Sequence, residues 1–302
     1  MLRGALVAAV LGLALPSAAQ AYGWPVKPFD RMHAVRGSFD DPRFHLRPDL
    51  TAAASFHFGV DIPAPDGTPV YAVEPGLVVS GHDWVNVRRP NRRMFGYWHV
   101  RPAVKTGVHV RLHQLIGWVA PGWGHVHLAE TVAGAYRNPL RPGALTPYRE
   151  TNVPVVASIS VVRLDGHALQ AVQSASVSGT VGLIADAYEV PSIEPPPPWN
   201  VSRLVPSLVR WRLIPATGDP PGPWRVAADF RTRLLPANWF SRVYAPGTYQ
   251  NKPNRPGDYR LWLTPSFDTT TLPNGTYYVD VEAESVRGVI GESSIALAVA
   301  NP

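Results

Sequence analysis

Residues 57–81 read HFGVDIPAPDGTPVYAVEPGLVVSG, and this stretch sets the fold class. It contains two short apolar runs, Pro69–Val73 and Leu77–Ser80. A turn signal precedes each run, namely Pro65-Asp66-Gly67 and Pro75-Gly76. Short runs bounded by Pro and Gly are typical of β-strands joined by tight turns. The stretch therefore predicts closely spaced strands in an antiparallel sheet or barrel.

The same pattern continues on the C-terminal side, and we find no convincing helical periodicity after residue 22. Four further short strands are predicted at Trp84–Val87, Val108–Leu112, Leu115–Val119 and His125–Ala129. From about residue 151 the predicted strands become longer: Val153–Leu164, Gln170–Val177, Thr180–Ala187, Val209–Leu213, Arg260–Thr264, Gly275–Ser285 and Ser294–Ala300. Longer strands with regular turns predict a β-sandwich of the immunoglobulin or fibronectin kind.

The fold class is therefore all-β, in two predicted domains. An N-terminal antiparallel β-sheet domain is expected over residues 22–150, and a β-sandwich domain over residues 151–302.

The first 21 residues have the pattern of a secretory signal peptide. Arg3 precedes an apolar run from Ala5 to Leu15, and Ala19-Gln20-Ala21 fits an A-x-A cleavage site. The alternative is a buried N-terminal helix. No later stretch approaches the roughly 18 apolar residues that a membrane helix needs. We therefore expect a secreted, soluble protein, either periplasmic or extracellular, with no integral membrane segment after cleavage.

The chain has no Cys. This excludes disulfides, Cys-ligated zinc and a thiol nucleophile. Any metal ion must be held by His, Asp or Glu.

The net charge is +6, from 28 Lys and Arg against 22 Asp and Glu. A basic chain favours anionic surroundings, such as cell-wall polymers or membrane surfaces. The densest basic cluster is Arg88, Arg89, Arg92 and Arg93, which accompanies no recognisable nucleic-acid-binding motif. We interpret that cluster as a solvated loop and expect no nucleic-acid partner.

Three short clusters contain candidate metal ligands and catalytic groups. His57 and Asp61 lie in the first, His99 in the second, and His125 and His127 in the third. On a strand, residues two apart face the same side, so His125 and His127 can reach one site. His57 and Asp61 would be about 13 Å apart if extended, too far for one ion, so the backbone must bend between them.

Gly59 is where such a bend is easiest. A carboxylate with neutral imidazoles suits Zn²⁺, and three protein ligands leave one position open for water. Each motif alone is weak, so the surrounding sequence decides.

The surrounding sequence resembles the lysostaphin-type peptidoglycan endopeptidase family. The resemblance rests on residues 57–81, then GYWHV (96–100), VKTGVHVRLHQLIGWV (104–119) and GHVHLAE (124–130). RGSFDDPRF (36–44) and RNPLRPG (137–143) resemble the family's flanking segments. The match covers residues 30–145.

The resemblance implies a zinc-dependent endopeptidase that hydrolyses peptide bonds in peptidoglycan, with a groove over the metal. It assigns His57, Asp61 and His127 as zinc ligands, and His99 and His125 as catalytic residues that do not bind zinc. Which histidine is the acid and which the base stays open.

The chain departs from the family pattern at three places. APGWG (120–124) precedes the H-x-H motif, Ala129 stands where an aromatic residue is usual, and the connection from Leu77 to His99 is rich in Arg and lacks the typical Gly-containing hairpin sequence. These departures concern substrate choice and groove shape.

Other residues have structural interpretations. Six histidines are expected to be ordinary surface or packing residues: His33, His45, His82, His109, His113 and His167. Among these His45 is the least certain, since some relatives draw an extra ligand from this region. Arg43 could bind a substrate carboxylate or form a structural salt bridge. Tyr97 and Trp98 could line the groove, although Trp98 is expected to face the core because it adjoins His99.

The tryptophans after residue 150 raise the possibility of sugar stacking, with Trp211 and Trp262 expected in the core and Trp199, Trp224 and Trp239 open. Two alternatives to an enzyme remain: a catalytically silent protein that binds the wall or activates an amidase, and a basic glycan-binding adhesin.

Overall fold

The computed structural model describes residues 21–46, 52–165 and 168–302, and almost all regular structure in them is β. The predicted signal peptide lies outside these residues except for Ala21, and His167 lies outside them too. The described residues contain one short α-helix, α1 (Phe240–Val243). None of their helices has the length and apolar character needed to cross a membrane. The all-β prediction is confirmed.

In the described part of the chain before residue 150 there are twelve strands. They are β1 (Pro42–Leu46), β2 (Ala52–Phe56), β3 (Val60–Pro63), β4 (Pro69–Tyr71), β5 (Gly76–Ser80), β6 (Trp84–Arg88), β7 (Arg93–Trp98), β8 (Val100–Pro102), β9 (His109–Val110), β10 (Leu115–Val119), β11 (His125–Val132) and β12 (Ala135–Arg137). The main sheet has the order β12-β11-β7-β6-β5-β9, with β3 also paired to β11. A smaller sheet has the order β4-β10-β8, and β1 pairs with β2.

Strand β7 was missing from the sequence prediction, and it is central to the main sheet. It pairs with β6 on one side and with β11 on the other. The Arg-rich connection is thus a hairpin, in which Arg92 takes a φ of 60°. A turn residue with positive φ is usually Gly. Because this turn has Arg92 at that position and no Gly, the sequence pattern did not indicate a hairpin. The predicted strand Val108–Leu112 is shorter, because only His109–Val110 pairs with β5.

The core of this half packs beneath the main sheet. Val126 and Leu128 of β11 are fully buried there, beside Tyr97 of β7. The Tyr97 hydroxyl accepts a hydrogen bond of 2.8 Å from the backbone N–H of Val73. Because side chains alternate along a strand, the residues of β11 that do not face this core point to the opposite face of the sheet.

Buried ion pairs tie β7 to the rest of this half. Glu130 is fully buried and bonds to Arg93, Arg141 and the hydroxyl of Tyr22 at 2.7 to 3.0 Å. Burial alone would raise the pKa of Glu130, but Arg141 and Arg93 outweigh it and lower that pKa. The buried charge is therefore kept ionised by its partners.

The predicted solvated loop at the Arg cluster is wrong for two of its four members. Arg93 is buried and pairs with Glu74 and Glu130, and Arg89 pairs with Glu74. A buried carboxylate needs a counter-charge, and these arginines supply it. Arg88 and Arg92 are exposed, as expected.

The residues described after position 150 form eight strands: β13 (Val155–Asp165), β14 (Ala168–Ala171), β15 (Thr180–Tyr188), β16 (Leu208–Pro215), β17 (Arg225–Asp229), β18 (Arg260–Asp268), β19 (Gly275–Glu284) and β20 (Ile290–Val299). They form two four-stranded antiparallel sheets, β14-β13-β15-β18 and β17-β16-β19-β20. Leu183 and Leu261 of the first sheet pack in one core with Trp211 and Val281 of the second. The predicted sandwich is confirmed, as is the buried position of Trp211 and Trp262.

One predicted strand of the sandwich is wrong. Gln170–Val177 was expected to be extended throughout, but β14 ends at Ala171 and a turn follows at residues 174–175.

Contacts cross between the two halves in both directions. Phe56 of β2 packs in the sandwich core, while Leu204 and Val286 join the core of the first half. The Tyr244 hydroxyl donates a hydrogen bond of 2.7 Å to the backbone carbonyl of Asp40. A boundary near residue 150 therefore stays a prediction.

We expect Glu130→Ala to lower the free energy of unfolding by about 3 kcal/mol or more, because it leaves buried donors without their acceptor. Urea denaturation of the full chain measures this. The matched control is Glu292→Ala, an exposed position on β20, which should change stability by less than about 0.5 kcal/mol. Equal losses in the two variants would contradict the structural role of the Glu130 cluster.

Candidate metal centre

Strand pairing places Asp61 and His127 side by side. β3 is antiparallel to β11, and Asp61 lies directly opposite His127 in the register. Directly opposed residues have Cβ atoms about 4.5–5.5 Å apart on the same face of a sheet. His125 lies two residues earlier on β11 and faces the same side. The sheet alone therefore brings three of the predicted residues together.

The bend expected at Gly59 returns His57 to this face. Residue 59 is a bend between the end of β2 and the start of β3. A Cβ at Gly59 would lie 2.6 Å from His127 Nε2 and 2.5 Å from the carbonyl oxygen of Leu128. Gly59 is therefore required because β11 approaches it so closely.

Three ligand atoms converge at this point. His57 Nε2 lies 2.8 Å from His127 Nδ1 and 3.1 Å from Asp61 Oδ1, and His127 Nδ1 lies 3.2 Å from the same oxygen. Ligands of a tetrahedral ion with bonds near 2.0–2.1 Å are about 3.3 Å apart. All three residues are buried. Their donor atoms fit one metal ion.

Hydrogen bonds behind these ligands fix their orientation. The Nδ1 of His57 lies 2.7 Å from the Ser38 carbonyl oxygen, so Nδ1–H donates there and the lone pair of Nε2 faces the other ligands. Asp61 Oδ2 accepts a hydrogen bond of 2.9 Å from Arg43. A Cβ at Gly37 would lie 2.6 Å from the Arg43 guanidinium, so Gly37 makes room for this pair. The salt-bridge interpretation of Arg43 is confirmed.

Burial and the neighbouring charges keep each proposed ligand in the protonation state that binds a metal ion. Burial, together with the nearby Arg43 charge, lowers the pKa of His57 to about 3, and burial also lowers the pKa of His127. Burial would raise the pKa of Asp61, but the surrounding histidines and Arg43 hold it well below its usual range. At neutral pH the site offers two neutral imidazoles and one carboxylate.

The other two predicted histidines lie beside these ligands. His125 is buried, with Nε2 3.5 Å from Asp61 Oδ1, and its ring centroid is 4.6 Å from that of His99. His125 Nδ1 lies 2.7 Å from both the Trp123 carbonyl oxygen and the Arg36 guanidinium. One nitrogen cannot donate to the first and accept from the second, so the two contacts belong to alternative tautomers. The structure thus brings all five predicted residues together; their individual roles stay a prediction.

His99 is held in a strained position by the loop before β11. Its φ of 64° lies in the left-handed region, which costs free energy for a residue other than Gly. Trp123 stacks on the His99 ring at 3.6 Å between centroids and 19° between planes. Asp66 accepts hydrogen bonds of 2.6 and 2.9 Å from the backbone N–H groups of Gly122 and Gly124, which fixes this loop. Burial lowers the pKa of His99 to about 3.

A cavity of about 380 Å³ opens over these residues. Trp98 lines it, so the expectation of a core position for Trp98 is wrong. Trp98 is paired with His127 across β7 and β11 and shares its face, whereas Tyr97 is the core residue. His99 reaches the same side because the strand ends at Trp98 and the chain turns there.

The remaining described histidines lie outside the group of three converging ligands. His33 bonds to a backbone carbonyl, His113 stacks on Phe29, and His82 and His109 are exposed. His45 lines the cavity but is exposed and bonds to Ser55 at 3.2 Å.

Sequence reasoning missed several residues of the cavity wall, among them Arg36, Trp199 and Asn251. Arg36 lies in a segment recognised only as a flank, and Trp199 was left open. Trp199 and Asn251 come from the C-terminal half, and no spacing rule connects them to the H-x-H motif.

No protein-family model matches the chain. Over 117 residues the chain is 32% identical to the peptidoglycan DD-endopeptidase ShyC of Vibrio cholerae, a match that covers 35% of this chain. The resemblance to lysostaphin-type peptidases seen in the sequence is confirmed. It spans about a quarter (26%) of the length of this curated relative.

Two solved structures resemble parts of the chain. A zinc-containing peptidase from Vibrio cholerae is 22% identical, with a TM-score of 0.32, and the match covers 40% of this chain and 39% of that one. A mutant of the catalytic domain of the prophage-encoded M23 protein EnpA from Enterococcus faecalis is 29% identical, with a TM-score of 0.29. That match covers 43% of this chain and 100% of the other.

We expect His57→Ala to lower the affinity of this site for a divalent metal at least about 100-fold, because one of the three proposed ligands is lost. Metal content after dialysis and titration calorimetry measure this. His82→Ala removes an exposed histidine and should bind metal like the wild type. Unchanged metal affinity in His57→Ala would remove His57 from the ligand set.

The lowered pKa values predict a metal affinity that depends weakly on pH. A ligand with its pKa below the solution pH binds metal without releasing a proton. His57, with a pKa of about 3, therefore stays neutral as the pH falls to 5.5. Two histidines with ordinary pKa values near 6.5 would together weaken binding about 100-fold at pH 5.5. We expect less than about tenfold weakening between pH 7 and 5.5, because His57 contributes none and one histidine with an ordinary pKa would by itself cause about tenfold; calorimetry in two buffers measures this. Release of one or more protons per metal at pH 6 would contradict this.

Proposed function

We propose that the chain is a zinc-dependent endopeptidase that hydrolyses peptide bonds in the stems or cross-bridges of bacterial peptidoglycan. One observation carries the proposal. Two imidazole nitrogens and one carboxylate oxygen converge, and two further imidazoles share their cavity. This arrangement combines a metal site with groups that can transfer protons.

The donor set suits zinc. It contains two nitrogens and one oxygen, at separations near those of a tetrahedral ion. Three protein ligands are typical of catalytic zinc sites, whereas structural sites have four. When bound, zinc would lower the pKa of a bound water from 15.7 to about 7 and polarise the scissile carbonyl.

His99 and His125 would perform the proton transfers. The low pKa of His99 leaves its imidazole neutral at neutral pH, so a ring nitrogen with a free lone pair can accept a hydrogen bond from the attacking water. Trp123 holds His99 by stacking, and the Trp123 carbonyl can orient His125 so that Nε2 faces Asp61. Positioned acid–base groups contribute about 10²–10⁴-fold to rate.

Peptidoglycan as substrate is supported by the curated relative and by the sequence. That relative is described as a peptidoglycan DD-endopeptidase. The predicted signal peptide would deliver the chain outside the cytoplasm, where the wall lies, and a net charge of +6 favours binding to anionic wall polymers. A catalytically silent scaffold is the weaker alternative, because all five site residues are present and converge.

Incubation of the zinc-loaded full chain with purified sacculi, followed by mass analysis of released muropeptides, tests this proposal. We expect new peptide ends that a chelator abolishes and added zinc restores. His125→Ala and His99→Ala should each retain zinc and lose about 10²–10⁴-fold in rate. His82→Ala should digest sacculi like the wild type. Products that persist in the presence of a chelator would refute a metallopeptidase.

A further inference from the structure

The guanidinium of Arg36 lies in the cavity wall without an acidic partner. It is half-buried, and no carboxylate of the described residues lies within ion-pair distance of it. The other arginines near this half's interior, such as Arg43 and Arg141, each pair with a buried carboxylate. Arg36 is the exception, and it faces the site.

The side-chain contacts of Arg36 hold its guanidinium in place but include no negatively charged group. Its guanidinium lies 2.7 Å from His125 Nδ1 and 3.9 Å from the centroid of the Trp199 ring. Burial lowers the pKa of Arg36 to about 10, so the group is still charged at neutral pH. A cation on an aromatic face keeps its N–H donors available in the plane of the guanidinium.

The backbone of Arg36 is fixed from both halves of the chain. Its N–H donates to the Asp61 carbonyl oxygen at 3.0 Å, and its carbonyl accepts a hydrogen bond of 3.1 Å from the side-chain amide of Asn251. Asn251 is itself buried. The guanidinium is thus preorganised, which lowers the entropic cost of binding a ligand.

Arg36 lies where the groove continues beyond the metal ligands. A second cavity, of about 490 Å³, shares Arg36, Trp123 and Trp199 with the first. A substrate that extends from one cavity into the other would pass the Arg36 guanidinium and the side chains of Trp123 and Trp199. The charge complement of a guanidinium is a carboxylate, which it binds through two parallel hydrogen bonds.

We propose that Arg36 binds a substrate carboxylate beside the scissile bond and selects peptides that carry one there. This inference rests on the proposed function. Beside the scissile bond of a cross-linked peptidoglycan stem, two groups have this chemistry: the α-carboxylate at the C-terminal end of the stem and the side-chain carboxylate of the cross-linked diamino acid. Arg36 is a specificity-determining residue, and Trp199 positions it.

The test compares three purified cross-linked muropeptides that differ only at these groups. One carries both carboxylates free, one has an amidated C-terminus, and one has an amidated diamino-acid side chain. We measure kcat/KM for each with the zinc-loaded full chain, with sacculi digested in parallel. For the wild type, kcat/KM should be about 10–100-fold higher for the muropeptide with both carboxylates free than for one of the two amidated muropeptides. The carboxylate that is blocked in the slower muropeptide is the one that Arg36 binds.

Variants separate recognition from a structural role. Arg36→Gln should bring the free-to-amidated ratio close to one, and Arg36→Lys should retain part of the preference. Trp199→Ala should lower the ratio, whereas Trp199→Phe should keep most of it. Arg111→Gln, at an exposed position, should leave all rates unchanged. If Arg36 only holds His125, Arg36→Gln will slow all three substrates by one factor and leave the ratio intact, which overturns the inference.

The two proposals fail differently. Equal wild-type rates on the three muropeptides, with sacculi digested, would overturn carboxylate recognition and leave the peptidase intact. Absence of cleavage of every muropeptide and of sacculi by the zinc-loaded chain would overturn the peptidase itself and this inference with it.

Discussion

The pairing of β3 with β11 is the constraint on which the site depends. It sets Asp61 opposite His127 and makes the face of β11 that carries His125 the floor of the cavity. A shift of one residue in this register would turn His127 into the apolar core and bring Leu128 to the site. The fully buried apolar side chains of Val126 and Leu128 therefore help to hold the proposed ligands Asp61 and His127 on the cavity face.

Several polar side chains are buried together on this face of the sheet. The lowered pKa values of His57 and His127 keep these two buried imidazoles neutral at neutral pH, and Arg43 pairs with the buried Asp61 carboxylate, so this part of the cluster is compatible with folding. The same condition suits metal binding, since a neutral imidazole has a free lone pair. The same arrangement of charges therefore lets the chain fold without a bound ion and keeps the proposed ligands in protonation states that bind a metal.

The sequence predicted what depends on local spacing and on a resemblance. His57, Asp61, His99, His125 and His127 were identified, and the structure brings them together. The errors have causes that residue spacing does not show. Trp98 shares the cavity face with His127, and His99 reaches the same side only because β7 ends at Trp98 and the chain turns there. Arg93 is buried because it pairs with Glu130, which is 37 residues later in the chain. Strand β7 was hidden because its hairpin uses Arg92 at the positive-φ position instead of Gly.

The cavity wall shows why the C-terminal half cannot be treated as an appendage. Trp199 and Asn251 line the cavity and lie in the chain segment between β15 and β18. Phe56, which precedes the proposed ligand His57, packs in the sandwich core. Asp41, which accepts hydrogen bonds from Ser38, also accepts one from the backbone N–H of Val205. The segment that orients His57 is thus bonded to the half that contributes Trp199. A displacement of the sandwich would move a wall of the groove and the support of a metal ligand together, so the two halves form the site jointly.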